Sequence, residues 1–364
     1  MSVLERSESP VLSLWQRLKD PANFFRGLVL ILCGCFVLGL SVGGYSLDPG
    51  KVVSILLNAI GLPAPFAFAA HEEVILLSIR LPRLLLAIAV GGALGLAGAV
   101  MQSLFRNPLA EPGLVGVSSG AALAAVIVIV GISSNIVIAG LDVTPYALPI
   151  AAFAGGLGAT VLLYVLAHRV AGDPVPTMLL IGIAINAVAQ AGIGMSQFLS
   201  TDTQLRLVTF WMMGGLGAAR WETIILPIAL IVGAGLGLLR LARPLNAYLL
   251  GSDEARHLGI DPKRLTRRAV FLVALAVGAA VAVSGIIGFV GLVVPHLVRL
   301  VVGPDNRIVL AGSALLGASF MLLMDVVARS VVSPAELPIG LVCAAVGGPF
   351  FLWLLLGRAS RGSV

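Results

Sequence analysis

Lysine occurs only at positions 19, 51 and 263, and none of the three completes a G-x-x-x-x-G-K-[ST] stretch. The glycine-rich cradle that binds nucleotide phosphates through backbone N–H groups is missing from the sequence. Any ATP-driven work must therefore be done by another subunit. Other groups able to do chemistry are sparse. Asp325 lies near the end of an apolar run with Arg329 four residues on, the spacing of a helical ion pair rather than of a proton relay. His296 follows Pro295 and is expected to cap a helix terminus rather than ligate a metal. Cys33 and Cys35 have neither a second pair nor a histidine nearby, and Cys343 is isolated in an apolar run, so all three read as small packing residues. No pair of catalytic groups converges within the apolar runs. The sequence assigns no catalytic residue, no metal site and no resident cofactor, which disfavours an enzyme.

The elements that must position these residues are membrane helices. Hydrophobic residues make up 59% of the 364 and charged residues 11%, against roughly 25% charged in soluble domains, and the mean hydropathy is +1.07. Each span needs about 20 apolar residues. The apolar runs are too long for barrel strands and lack their period-two alternation, and a helix closes its own backbone hydrogen bonds in lipid. Breaks at charges, prolines and glycines predict ten spans, at 27–45, 82–104, 114–133, 146–167, 177–198, 222–240, 269–287, 286–302, 308–327 and 337–357. The seventh and eighth are nearly continuous. Residues 50–60 are too short to span and read as a surface helix, and 201–221 could hold a short broken helix. The fold class expected is an all-α integral membrane protein. The first apolar run lacks a small-x-small cleavage site and reads as a retained span.

Orientation follows from Lys and Arg. With an even number of spans, one side collects 17 of the 23, while the other holds Lys51, Arg80, Arg83, Arg206, Arg220 and Arg329. Both termini are therefore expected in the cytoplasm, with an N-terminal segment at 1–26, a polytopic membrane domain at 27–357 and a tail at 358–364. This asymmetry accounts for the net charge of +6, and no nucleic-acid partner is needed to explain it.

Two segments resemble each other: AIAVGGALGLAGAV at 87–100 and ALAVGAAVAVSGII at 274–287, with six of fourteen positions identical. The same offset carries Pro108 onto Pro295, expected just past each helix. The copies begin at spans two and seven, and an odd separation inverts the second, as in transporter folds. Gly91, Gly92, Gly95 and Gly98 recur at spacings suited to close helix packing in lipid.

Two polar stretches stand out. QSLFRNPLAEPGLVGVSSGAAL, residues 102–123, sets a proline-stiffened turn between two apolar runs. LLGSDEARHLGIDPKRLTRR, 249–268, is the longest charged cytoplasmic segment. In it Ser252, Asp253 and Glu254 resemble a helix start, and Gly259 and Pro262 are expected to close a short helix lying along the membrane, suited to a partner's groove.

Together with RLPR at 80–83, FWMMGGLG at 210–217, GFVGLVVPHLVR at 288–299 and AELPIG at 335–340, these stretches make the chain similar, over about residues 25–358, to the FecCD/BtuC-type permeases of binding-protein-dependent ABC importers. The resemblance implies a type II ABC importer permease fold in a bacterial inner membrane. It implies a homodimer with the substrate path along its interface, two ATP-binding cassette subunits inside that hold ATP and magnesium, and a periplasmic substrate-binding protein. By resemblance, Asn107 and Leu109 belong to the cytoplasmic gate. The loop around Val175, Pro176 and Thr177 forms its other part, departing from the Thr/Ser pair of the cobalamin branch. Arg80, Arg83 and Arg329 match positions that pair with binding-protein carboxylates. Ser252, Asp253, Glu254, Ala255, Arg256, Leu258 and Gly259 fall where the family couples to its ATPase. The cargo implied is an iron chelate, haem first and ferric siderophore close behind, then cobalamin. An ion-coupled secondary transporter is the alternative of a different class.

Overall fold

The structure is a computed structural model, and it describes residues 20–131, 137–138, 141–142, 144–170 and 174–359. The first helix, α1 (Pro21–Ser41), starts where Asp20 accepts from the Ala22 N–H and Pro21 supplies a preset first turn. It thus begins six residues before the expected span, inside the segment expected to precede the membrane. Residues 1–19 of that segment and 360–364 of the expected tail lie outside the described residues.

Next come α2 (Pro49–Ala59), the surface helix expected at 50–60, and α3 (Ala70–Val74). A π-helical turn, Ile75–Arg80, leads without a break into α4 (Leu81–Leu104). A 3-10 turn at Pro112–Val115 precedes α5 (Val117–Gly131). Two-residue strands β1 (Val137–Ile138) and β2 (Leu141–Asp142) pair antiparallel before α6 (Thr144–Arg169) and α7 (Pro174–Phe198). The ambiguous 201–221 stretch forms α8 (Asp202–Met212), capped by Thr201 and Gln204. The chain then runs through α9 (Trp221–Leu239), α10 (Ala242–Leu250), α11 (Ser252–His257), α12 (Pro262–Ser284), α13 (Val290–Val302), α14 (Asn306–Ser330) and α15 (Ile339–Ala359).

Among the described residues, seven helices are long and apolar enough to cross a membrane, and α5, α13 and α15 contribute shorter apolar stretches. These ten correspond in order to the ten expected spans. The uncertain boundary between the seventh and eighth falls at 285–289, where Gly285 and the non-glycine Phe289 both take a φ of 66° and break an otherwise unbroken apolar run. With 13 residues, α13 rises only about 20 Å, less than the roughly 30 Å hydrocarbon core.

The core is built around α4, whose residues are nearly all buried. Its small-residue face makes this possible. A Cβ at Gly91 or Gly95 would collide with the backbone of Gly317 or Ser313 on α14, and one at Gly98 with Gly291 on α13. In lipid, where apolar surface gains nothing by leaving the solvent, this close backbone approach is the main source of helix affinity. The paired segments at 87–100 and 274–287 diverge at their ends. α4 continues to Leu104, whereas α12 stops at Ser284, and Pro295 lies within α13 rather than past a helix end.

Candidate functional site

Polar chemistry concentrates at the two ends of α4. Arg83 and Ser103 are 20 residues apart on it, hence about 30 Å along its axis.

At the start of α4, Arg80, Arg83 and Arg329 converge, all at most 7% exposed. Arg83 Nε donates to Asp325 Oδ1 at 2.7 Å and its Nη1 to Glu336 Oε2 at 2.7 Å. Asp325 Oδ2 lies 2.9 Å from Arg329 Nε, the expected pair one turn apart. Arg329 Nη2 also donates to the Gly39 carbonyl at 3.2 Å, and Arg80 donates to the carbonyls of Leu40 and Tyr45. The guanidinium groups thus cap the last turn of α1, whose carbonyls lack intrahelical partners. Gly43 makes room for them, because a Cβ there would stand 2.8 Å from Arg329 Nη1 and 3.1 Å from Arg80 Nη2. The three arginines are therefore not the exposed cations that a docking surface suggests. Desolvation drives them onto carboxylates and carbonyls. The surface member of the cluster is Glu336, whose side chain is 49% exposed.

At the other end, Gln102, Ser103, Arg106 and Asn107 leave the same helix. Pro295 inside α13 has no N–H to give the Gly291 carbonyl four residues back. Gln102 Nε2 supplies the missing donor, reaching Gly291 O at 3.3 Å and Leu292 O at 3.2 Å. Arg299 donates to Gln102 Oε1, and also to Ala99 O and Ser103 Oγ, each at 3.1 Å. Ser103 Oγ donates to Asn306 Oδ1 at 2.7 Å. Asn246 on α10 then bridges the start of α14, giving Nδ2 to Asp305 Oδ1 at 2.6 Å and taking the Asn306 N–H at 2.9 Å. Hydrogen bonds from the Arg307 N–H and Asn246 hold the Asp305 carboxyl below its usual range.

Asn107 forms a closed turn. Its Oδ1 accepts the Leu109 N–H at 2.9 Å, and its own N–H donates to Gln102 O at 3.2 Å. Leu109, 42% exposed, borders a small cavity with Leu292, Val293, His296, Phe350 and Phe351. His296 sits in the middle of α13, not at a helix terminus as expected. Val175, Pro176 and Thr177 form the first turn of α7 rather than a loop, with Val175 buried, and they do not line the Leu109 cavity. Proline is well tolerated in a first turn, where its missing N–H would be unpaired anyway. Nearby, Glu111 lines a cavity of about 110 Å³ with Pro112, Gly113, Ser118 and Phe289, and burial pushes its carboxyl up.

The 249–268 segment takes in the end of α10, all of α11 and the start of α12, with Ala255 fully buried and Asp253, Glu254, Arg256, Leu258 and Gly259 exposed. α11 starts at Ser252 with Asp253 and Glu254 in its first turn, as expected, and Gly251 stands at its N-cap at a φ of 147° that favours glycine. Asp253 takes the Arg256 guanidinium at 2.9 Å. Gly259, at φ 79°, follows the Leu258 cap and closes off α11. Pro262 does not close it but opens α12, with Asp261 as cap.

The sequence reading did not anticipate Glu336, Gln102, Arg299, Asn306, Asn246 or Tyr248. The usable signal was polarity inside apolar runs, at Gln102 and Asn306 above all.

The model of the FecCD transport family matches residues 29–357. The chain is 47% identical over 297 residues to the hemin transport system permease protein HmuU of Yersinia pestis, covering 79% of this chain and 84% of that one. It is 42% identical over 344 residues to the vitamin B12 import system permease protein BtuC of Salmonella typhi, covering 94% and 98%. It is 41% identical over 306 residues to the cobalamin import system permease protein BtuC of Halobacterium salinarum, covering 83% and 79%. A solved structure described as an inward-facing conformation of a metal-chelate type ABC transporter superposes with a TM-score of 0.79 at 31% identity, covering 92% of this chain and 99% of the other. A bundle built on α4, with a polar cluster at each end of that helix and a family match through every span, places this chain in the FecCD transport family.

Proposed function

We propose that this chain is the permease subunit of an ABC importer that carries a metal chelate across a bacterial inner membrane, with haem the first cargo and a ferric siderophore the next. The family match over 29–357 carries the reading, and the 47% identity to a hemin permease orders the cargoes. Two copies would enclose the pathway, two ATP-binding cassette subunits holding ATP and magnesium would dock inside, and a periplasmic binding protein outside, with both termini cytoplasmic. A cobalamin cargo is the second reading, favoured by the vitamin B12 permease that aligns over 94% of this chain.

In this reading α11 is the coupling element, presenting Asp253, Glu254, Arg256 and Leu258 while Ala255 anchors it to the protein. Asn107, Leu109 and the first turn of α7, Val175 to Thr177, form the inner gate. A binding-protein carboxylate reaches Arg83 by competing with Glu336, the exposed partner of that guanidinium.

The test is uptake by liposomes holding this chain, its ATPase and its binding protein, offered haem, ferric siderophores and cobalamin in parallel. ATP-dependent uptake of haem, with none by the chain alone, is expected. Uptake driven by an ion gradient through the chain alone would overturn the reading. Ala255→Pro removes an N–H that donates to Gly251 O at 3.0 Å and costs about 3 kcal/mol locally. It should abolish ATPase binding or transport while the spans still fold.

A further inference from the structure

We propose that Arg106 is the positioning residue that carries movement of the coupling segment to the inner gate. The proposal rests on the reading of α11 as the ATPase-docking element. Arg106 immediately precedes Asn107-Pro108-Leu109, and its φ is 47°, a left-handed conformation unfavourable to a residue with a Cβ. Such a conformation persists only where surrounding contacts hold it. The Arg106 N–H donates to the Ser103 carbonyl at 3.4 Å, and among the described contacts its side chain meets one residue, Tyr248. Arg106 Nη2 donates to the Tyr248 carbonyl at 2.7 Å, and the same guanidinium lies 4.5 Å from the centre of the Tyr248 ring.

Tyr248 is 4% exposed and occupies the last turn of α10. A cation there also satisfies the negative end of the helix dipole. Only Gly251 separates α10 from α11, so a push on α11 is delivered to α10 across one residue. Three residues before Arg106, Ser103 reaches α10 by a second route, through Asn306 and Asn246. The gate turn cannot lag behind Arg106, because Asn107 is bonded to both Gln102 and Leu109. The end of α4, the gate turn and α10 are thereby joined as one body.

A simple helix cap would have the same contacts but would affect stability alone. A mechanical link also sets how much cargo moves per ATP. The experiment uses the complete complex of this chain, ATPase and binding protein in liposomes, measuring haem uptake and ATP hydrolysis together for the wild type, Arg106→Gln, Arg106→Lys, Tyr248→Leu and the Gln/Leu double variant. In Arg106→Gln, hydrolysis should continue while cargo per ATP falls about fivefold or more, the low end of coupling between two sites. Arg106→Lys keeps the charge without the planar fork and should fall in between. Tyr248→Leu removes only the ring contact and keeps the carbonyl, so the double variant should be no worse than Arg106→Gln alone, which already removes both contacts. If Arg106→Gln fails to assemble, Arg106→Lys and Tyr248→Leu decide. An unchanged ratio, or additive losses in the double variant, would overturn the inference while leaving the permease reading intact. A wild-type complex without ATP-dependent uptake of any cargo would overturn both.

Discussion

The two ends of α4 solve the same problem, arginine burial in an apolar bundle, by opposite means. At its start, Arg83 and Arg329 share the fully buried Asp325, and Glu336 adds a second carboxylate. At its end, among the described contacts, Arg299 is held by an amide, a hydroxyl and a carbonyl, with no carboxylate. Charge pairs in a low-dielectric site are strong and intolerant of losing one partner. Neutral acceptors are weaker and can exchange. The charged cluster therefore acts as a lock joining α1, α4, α14 and the segment before α15. The neutral belt lies beside the parts expected to move.

The largest effect should come from Asp325→Ala, which leaves the buried Arg329 with no carboxylate and Arg83 with only the half-exposed Glu336, and should cost about 3–5 kcal/mol, read as a drop in thermal midpoint of the purified protein. A loss no greater than that of an exposed ion pair would erase the contrast. Arg299→Met takes the donor from Gln102 Oε1, while Gln102 Nε2 and Ser103 Oγ keep their acceptors, so it should cost less, about 1–3 kcal/mol. Glu336→Gln should leave stability within about 1 kcal/mol, since half the side chain is exposed. If docking uses Arg83, it should nevertheless tighten binding of the substrate-binding protein, by freeing the guanidinium. Arg83→Glu is the poorer docking test, because it would gather three carboxylates in one buried site and disturb the fold as well.

The smallest effect concerns pH. The folded-state pKa of Asp305 is depressed, so its contribution is present above the ordinary aspartate value of about 3.9. It is lost as pH falls through the lower folded value. Asp305→Asn should flatten that acid limb slightly, by no more than about 1 kcal/mol, in thermal midpoints taken across acidic pH.

Much of the architecture was readable from the order of residues alone. The ten apolar helices, the surface helix at Pro49–Ala59 and the short α11 follow from apolar run length, capping residues and proline positions, all local properties. The pairing of Asp325 with Arg329 was equally local, four residues apart on one helix. Boundaries were harder. α12 and α13 form one apolar run in sequence, and only the positive φ of Gly285 and Phe289 separates them. Pro262 and Pro176 read as breakers, yet both stand in first turns.

The sequence by itself determined that this chain lives in lipid, where its ten apolar helices run and which motifs it carries, because hydrophobic run length and turn chemistry act over a few residues. Only the tertiary structure decided what its charges do. Arg83 meets Asp325 across 242 positions and Glu336 across 253, and Arg106 meets the Tyr248 carbonyl across 142. Whether an arginine faces a partner protein, a lipid headgroup or a buried carboxylate depends on which helices pack beside it. That packing is set by small residues such as Gly91 and Gly98, whose role appears only when another backbone lies against them.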